Sequence, residues 1–225
     1  YMNNYLKALF DKKMLLGLIN TSIIIVFSCI GTVITSSTTA FVLQRFKSSL
    51  NYYIKAFFAM ATLLPSISMQ VSVFQTVNSM RLRDSILAPI ILYIGADIIS
   101  ICIFIQYLNN IPISIDECAF IDGASYPKIF SQIIFPQLKP AVNLIVIIKA
   151  VFIYNDFYTP QLYLPSENHT VISTSLYRMM RPYGTDWGVI YAGIVLCIIP
   201  TTITFFVLKR YIYGGIVSAS LKEML

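Results

Sequence analysis

The apolar run from Leu18 to Leu43 sets the terms for the rest of the chain, because a helix of about 20 such residues reaches across the hydrocarbon core of a bilayer. Comparable runs follow at about Ile54 to Val77, Ile86 to Tyr107 and Ala141 to Tyr158. A last one opens near Trp187-Gly188 and closes at Leu208-Lys209-Arg210-Tyr211. In lipid each backbone donor and acceptor has to be satisfied internally, so these five runs read as helices. Composition agrees, since 57% hydrophobic residues, 12% charged residues and a mean hydropathy of +0.74 are too apolar for a soluble domain. The expected class is all-α, a polytopic membrane protein with a single transmembrane domain over residues 1–225.

The runs carry polar features with readable consequences. Ser28, Thr32, Ser36 and Ala40 recur at every fourth position, a small-residue face against which another helix can pack closely. Pro65 is expected to bend or interrupt the second span. After it come Ser66, Ser68, Gln70, Ser72 and Gln75, with Gln70 and Gln75 as candidates for lining a solute path or for bonding between helices. Asp97 falls near the centre of the third span and Lys149 at a comparable depth of the fourth. An unpaired carboxylate there costs on the order of 3 kcal/mol, so the two are expected to form an intramembrane ion pair or to face a polar cavity. Cys29, Cys102 and Cys197 lie within spans and read as small buried hydrophobes. The net charge of +6 comes without a dense basic run, which points to membrane-flanking charge and not to nucleic acid. No Walker-type phosphate loop, metal-spaced His pair or nucleophile with a base partner is evident, so the chain is not expected to be an enzyme by itself.

The long polar interruption from Asp116 to Pro140 has a structure of its own. Glu117 to Ile121 can form a short helix, Asp122-Gly123 a turn, and Ser125 can cap a second helix with Pro127 in its first turn. Ile129, Phe130, Ile133 and Ile134 then make an apolar stripe on a segment too short to span, which needs a protein partner or the membrane surface.

Glu117, Cys118, Ala119, Gly123 and, after nine residues, Ile133 and Pro136 together resemble the EAA motif of binding-protein-dependent ABC permeases, with Cys118 where Ala is usual and Phe135 where Leu is usual. Tyr154-Asn155-Asp156-Phe157 is similar to the Trp-Asn-Asp-Phe signature that follows the motif in maltose-type sugar permeases. Asn20-Thr21, the run from Tyr183 to Gly188, Leu208 to Tyr211 and Gly214-Gly215 look like the same subfamily.

The resemblance implies a type I ABC importer transmembrane domain and a set of partners. These are a second homologous permease, two ATP-binding cassette subunits that hold ATP and Mg, an extracytoplasmic solute-binding protein, a sugar and the lipid membrane, with no cofactor on this chain. Residues 109–140 become a cytoplasmic coupling loop, with Glu117, Cys118, Ala119, Asp122, Gly123, Ile129, Phe130, Ile133 and Pro136 as coupling residues. Residues 159–186, which hold the lone His169, become an external loop facing the binding protein, a setting in which His169 reads as surface. Tyr154, Asn155 and Asp156 join Gln70 and Gln75 as candidates for the solute path.

The resemblance also implies six spans where five are visible, hence a first helix missing from the represented sequence. It places the chain in a bacterial cell membrane with the C-terminus inside. Lys and Arg counts on the two sides are nearly equal and barely orient the chain. The competing readings are a permease for polyamines, phosphate or peptides, an ion-coupled secondary transporter using Asp97 and Lys149, and a structural half of a heterodimeric permease.

Overall fold

The computed structural model describes residues 2–46, 48–64, 66–95, 97–179 and 186–220, side chains at 12, 66, 204, 205 and 207–220 excepted. Among these residues all regular structure is helical. In chain order the helices are α1 Met2–Leu9, α2 Lys12–Arg45, α3 Ser49–Ala61, α4 Ser66–Ser79, α5 Leu87–Ile94, α6 Ile98–Asn109, α7 Ile113–Ile121, α8 Tyr126–Gln137, α9 Lys139–Asn155, α10 Tyr158–Tyr163, α11 Ile172–Met179 and α12 Trp187–Ser220.

By length and composition α2 can cross a bilayer alone, and the bent pairs α5–α6 and α8–α9 pass the same test if each pair is one span. The second predicted span is the two helices α3 and α4; Pro65, expected to interrupt it, lies outside the described residues. The third is not one helix but two, bent by 43°. Asp97 therefore does not sit mid-helix. It is the N-cap of α6, where its carboxylate accepts from the Ser100 N–H at 3.2 Å, and a capping acceptor satisfies the donors that a helix start leaves over. The fourth span starts two residues early and stops at Asn155, and the Asp156 carboxylate just beyond it accepts from the Thr159 N–H in the first turn of the next short helix.

α2 is built inside out relative to a helix in water. Ile19, Ile23, Phe27, Ile30 and Ile34 are exposed, whereas Ser28, Thr32, Ser36 and Ala40 are fully or almost fully buried. Apolar residues outward and hydroxyls inward is the arrangement that lipid favours, since hydroxyls find partners only within the protein. Cys29 is buried as expected. Cys102 is exposed, a correction that costs little, because a thiol is apolar enough for the outward face of α6.

The chain forms two compact units. One comprises Tyr1–Ser28, Ser72–Tyr93 and Ile147–Leu225, with small cores around Met14, Ile172 and Ala192 and around Val77, Ala88 and Tyr163. The other comprises Cys29–Val71 and Ile94–Val146, and its core joins Phe41, Phe104, Leu108, Ile129, Ile134, Leu138 and Ile145.

Candidate functional site

In the second unit, the polar interruption folds as an elbow. α7 begins at Ile113, earlier than expected, and places Asp116 in its first turn, where the helix dipole favours an acid. It ends in a Schellman turn. Gly123 takes φ +83°, its N–H donates to the Phe120 carbonyl at 3.0 Å, and the Ala124 N–H donates to the Ala119 carbonyl at 3.0 Å. Ser125 opens α8 with an extended backbone but makes no side-chain cap bond, so the expected hydroxyl cap is replaced by its carbonyl, which accepts from the Ile129 N–H at 2.9 Å. Within α8 the turn Ile129–Ile134 is wound as π-helix just before Pro136, whose ring excludes an ordinary turn and which brings no N–H.

The apolar stripe does not wait for a partner. Ile129 and Ile134 are fully enclosed by the unit's own core, and Phe130 and Ile133 pack against it, with Phe130 5.1 Å from Phe41 between ring centres. The expectation that the stripe needs a partner is thus corrected for these residues, since the core supplies it. What the elbow presents outward is Phe120, Ile121 (83% exposed) and Tyr126, together with Glu117, Cys118 and Asp122. Phe120 stacks on Tyr126, and Tyr126 on Phe46, so the tip is a supported aromatic surface. Ala119 is buried, and Gly123 and Pro136 are exposed.

Behind the tip, Arg45 at the end of α2 meets Asp116, Nε to Oδ2 at 2.7 Å, with only 6% and 14% of the side chains exposed. Arg45 Nη2 also donates to the Ile111 carbonyl at 2.9 Å. Burial pushes the Asp116 carboxyl above its usual range, with Glu117 adding to the rise and Arg45 opposing it.

In the first unit, a cavity of about 510 Å³ is lined by Tyr154, Asn155, Ser173, Thr201 and Thr202, with an apolar wall that includes Ile172 and Ile198. Tyr154 Oη donates to the Cys197 carbonyl at 2.8 Å and Asn155 Nδ2 to the Val151 carbonyl at 2.8 Å. The Asn155 amide oxygen makes neither of these bonds. Asp156 is absent from the lining. Its carboxylate accepts from Tyr93 Oη at 2.8 Å and from the Thr159 N–H at 3.1 Å, which makes it a group that positions its neighbours. Gln75, exposed on α4, is not a lining residue, and Gln70, half-buried, belongs to the other unit. Lys149 lies half-buried in α9, in the unit that does not contain Asp97. Sequence reading missed Ser173, Thr201 and Thr202, because isolated hydroxyls in apolar helices carry no pattern.

The segment from Glu167 to Ile172 is clamped onto α2 by the Asn20-Thr21 pair. Asn20 Nδ2 donates to the Thr170 carbonyl at 2.8 Å, and Thr21 Oγ1 accepts from the Ile172 N–H at 2.9 Å. Gly17, on the same face, lets the Val171 backbone come so close that a Cβ would lie 3.0 Å from its carbonyl carbon. His169 is more than surface. Its Nδ1 lies 3.3 Å from Asp84 Oδ1, which also accepts from the Ser166 N–H at 3.1 Å. Burial works upward on the Asp84 carboxyl, but the Ser166 and His169 contacts outweigh it and hold the group below its usual range. Of the run from Tyr183 to Gly188, residues 183–185 lie outside the described residues, as do the side chains of Leu208 to Tyr211.

Residues 31–217 match the family described as binding-protein-dependent transport system inner membrane component. Over 225 residues the chain is 29% identical to a "probable starch degradation products transport system permease protein", AmyC, of Thermoanaerobacterium thermosulfurigenes, covering 99% of this chain and 81% of that one. It is 26% identical to the melibiose/raffinose/stachyose import permease protein MelC of Bacillus subtilis over 206 residues, 91% of this chain and 75% of that one. A crystal structure of a bacterial ABC transporter involved in the import of the acidic polysaccharide alginate matches with a TM-score of 0.83 at 20% identity. The match covers 92% of this chain and 78% of that chain and is a likeness in fold.

Proposed function

The chain belongs to the family of binding-protein-dependent transport system inner membrane components, and from that membership we propose that it is the half-pore of an ATP-driven importer for a carbohydrate, probed first with oligosaccharides. The observation that carries the coupling part of this reading is the elbow. A tip of exposed Phe120, Ile121 and Tyr126 stands on a base in which Ile129 and Ile134 are fully enclosed, so a push on the tip moves the base instead of deforming it. Glu117 offers an anion to a basic group on an ATPase, and Gly123 permits the turn. In this reading the elbow and the C-terminus face the cytoplasm of a bacterial cell, and residues 159–186 face the binding protein. A second permease completes the path, and two cassette subunits bind ATP with its Mg²⁺.

The carbohydrate part is supported by the sugars named for the similar permeases and by the cavity. A mostly apolar wall suits the C–H face of a sugar ring, while Asn155, Ser173, Thr201 and Thr202 suit its hydroxyls. Tyr154 and Asn155 are the residues to which solute contact is assigned; Asp156 holds Tyr93, the start of α10 and, through its carbonyl, the lining Ser173. Gln70 and Gln75 are assigned to other points of the path. Asp97, as the cap of α6, and Lys149 are each assigned to a polar environment within their own unit, and Asp97→Asn should impair assembly or uptake.

The test is purification with the membrane and ATPase partners, followed by ATPase assay with binding protein loaded with defined oligosaccharides. Stimulation by one loaded form supports the reading. Retention of the ATPase subunits by an Ile121→Glu variant would count against the docking role, and dependence of uptake on a proton gradient without ATP would replace the importer by a secondary transporter.

A further inference from the structure

We propose that Arg45 and Asp116 form the joint that makes the coupling elbow and the end of α2 move as one body. The inference rests on the coupling role proposed for the elbow and adds positioning residues to it. Asp116 lies in the first turn of α7 and Arg45 in the last turn of α2, so each charge sits at the helix end whose dipole favours it. The guanidinium makes two separate attachments to the elbow side. One is the 2.7 Å charge contact with Asp116; the other is the 2.9 Å bond from Nη2 to the Ile111 carbonyl, in the link between α6 and α7. A single point of contact would act as a swivel. Two points from one planar group resist rotation as well as separation.

Several features argue that this pair does more than add stability. Taking two charges out of water costs about as much as their attraction returns, so a buried pair is a weak staple and a good register device. Its alignment is also incomplete. Among the described residues neither Arg45 Nε nor Asp116 Oδ1 has an aligned hydrogen-bond partner, although Nε and Oδ2 are in charge contact. A buried acceptor left open can gain a bond when the elbow is pressed, so closing force on the tip tightens the joint instead of loosening it. Phe46, the neighbour of Arg45, stacks on Tyr126 of the tip at 4.9 Å, which joins the same two elements from the apolar side.

The experiment measures rigidity directly in the complete transporter. Spin labels are placed on Ser114→Cys, an exposed position of α7 outside the docking tip, and on Val42→Cys, an exposed position of α2, in a background of Cys102→Ser, Cys118→Ala and Cys197→Ser. Their separation is read without nucleotide and after trapping with ATP and vanadate. In the otherwise unaltered protein the separation should stay within about 2 Å between the two states, the scale of a small helix shift. Asp116→Asn and Arg45→Gln should change it by about 5 Å, a helical turn, or broaden it severalfold, with the ATPase subunits still bound. The double exchange Arg45→Asp with Asp116→Arg restores the charge pair but not the bond to the Ile111 carbonyl, and should bring the separation back part of the way. Should Asp116→Asn fail to assemble, Asp116→Glu keeps the charge, displaces it by one methylene and reads the same quantity.

A separation that changes equally in the unaltered protein and the variants overturns the proposal, as does a constant separation in all of them. Loss of the ATPase subunits in both single variants without recovery in the double exchange reduces the pair to a folding contact and overturns it too. The docking reading is judged apart from this, by whether Ile121→Glu releases the ATPase subunits.

Discussion

Gly123 holds the left-handed conformation that ends α7, and a Cβ added there would meet nothing within 4 Å. Its replacement is therefore a conformational penalty with no clash. Gly123→Ala should cost about 1 kcal/mol, and Gly123→Val, β-branched, more. Gly123→Asn should lie closer to wild type, because its short side chain tolerates this region. Thermal unfolding in detergent measures the order, and an Ala variant as stable as wild type would contradict it. Thr21 is the opposite kind of residue, harmless in conformation and needed for its oxygen. Thr21→Val keeps the shape but leaves the buried Ile172 N–H without its acceptor, at a cost of roughly 1–3 kcal/mol. The same unfolding measurement reads it, and Thr21→Ser should recover most of the loss.

Among the elements, the link from α4 to α5 is held to the segment after α10 by Asp84, which takes φ +61° and accepts from the Ser166 N–H. Its carboxyl is held below the usual range by Ser166 and His169 against the upward push of burial. A depressed acid adds stability above its unfolded pKa and loses it as pH falls through the folded value. The stability gap between wild type and Asp84→Asn should therefore be open at neutral pH and close as pH drops below the ordinary aspartate range. Asparagine is the right probe because it tolerates the same backbone angle. A gap that persists in acid would assign the effect to packing. The elbow shows the same dependence of element on surroundings. Its two helices and turn follow from Gly123, Ser125 and Pro127, whereas the inward facing of Ile129 and Ile134 follows from Phe41 and Phe104, far away in sequence.

For the whole molecule, the cavity and the elbow make separable predictions. Asn155→Ala should raise the sugar concentration needed for half-maximal uptake by about tenfold, the loss of roughly 1.4 kcal/mol of binding, with ATPase subunits bound and basal ATP turnover unchanged. Uptake kinetics in proteoliposomes decide it; unchanged affinity would remove Asn155 from the path. Ile121→Glu should instead abolish both uptake and co-purification of the ATPases, since a charge would replace an 83% exposed apolar contact.

Much of this was legible from residue order alone. Segment length and apolarity determine that the chain is helical and suited to lipid, because a bilayer imposes both. The spacing of Ser28, Thr32, Ser36 and Ala40 determines a buried face, since the helical repeat puts them on one side. Gly123 determines a turn, since few other residues take its φ. Tertiary structure decided what depends on partners distant in sequence. It turned Asp97 from a mid-span charge into the cap of α6, enclosed the stripe that was expected to need a partner, and gave His169 to Asp84 and Arg45 to Asp116. It also gathered Ser173, Thr201 and Thr202 around Tyr154 and Asn155. The physical reason is range: periodicity and φ preference act within a few residues, whereas charge pairing and enclosure are settled only when separate segments meet.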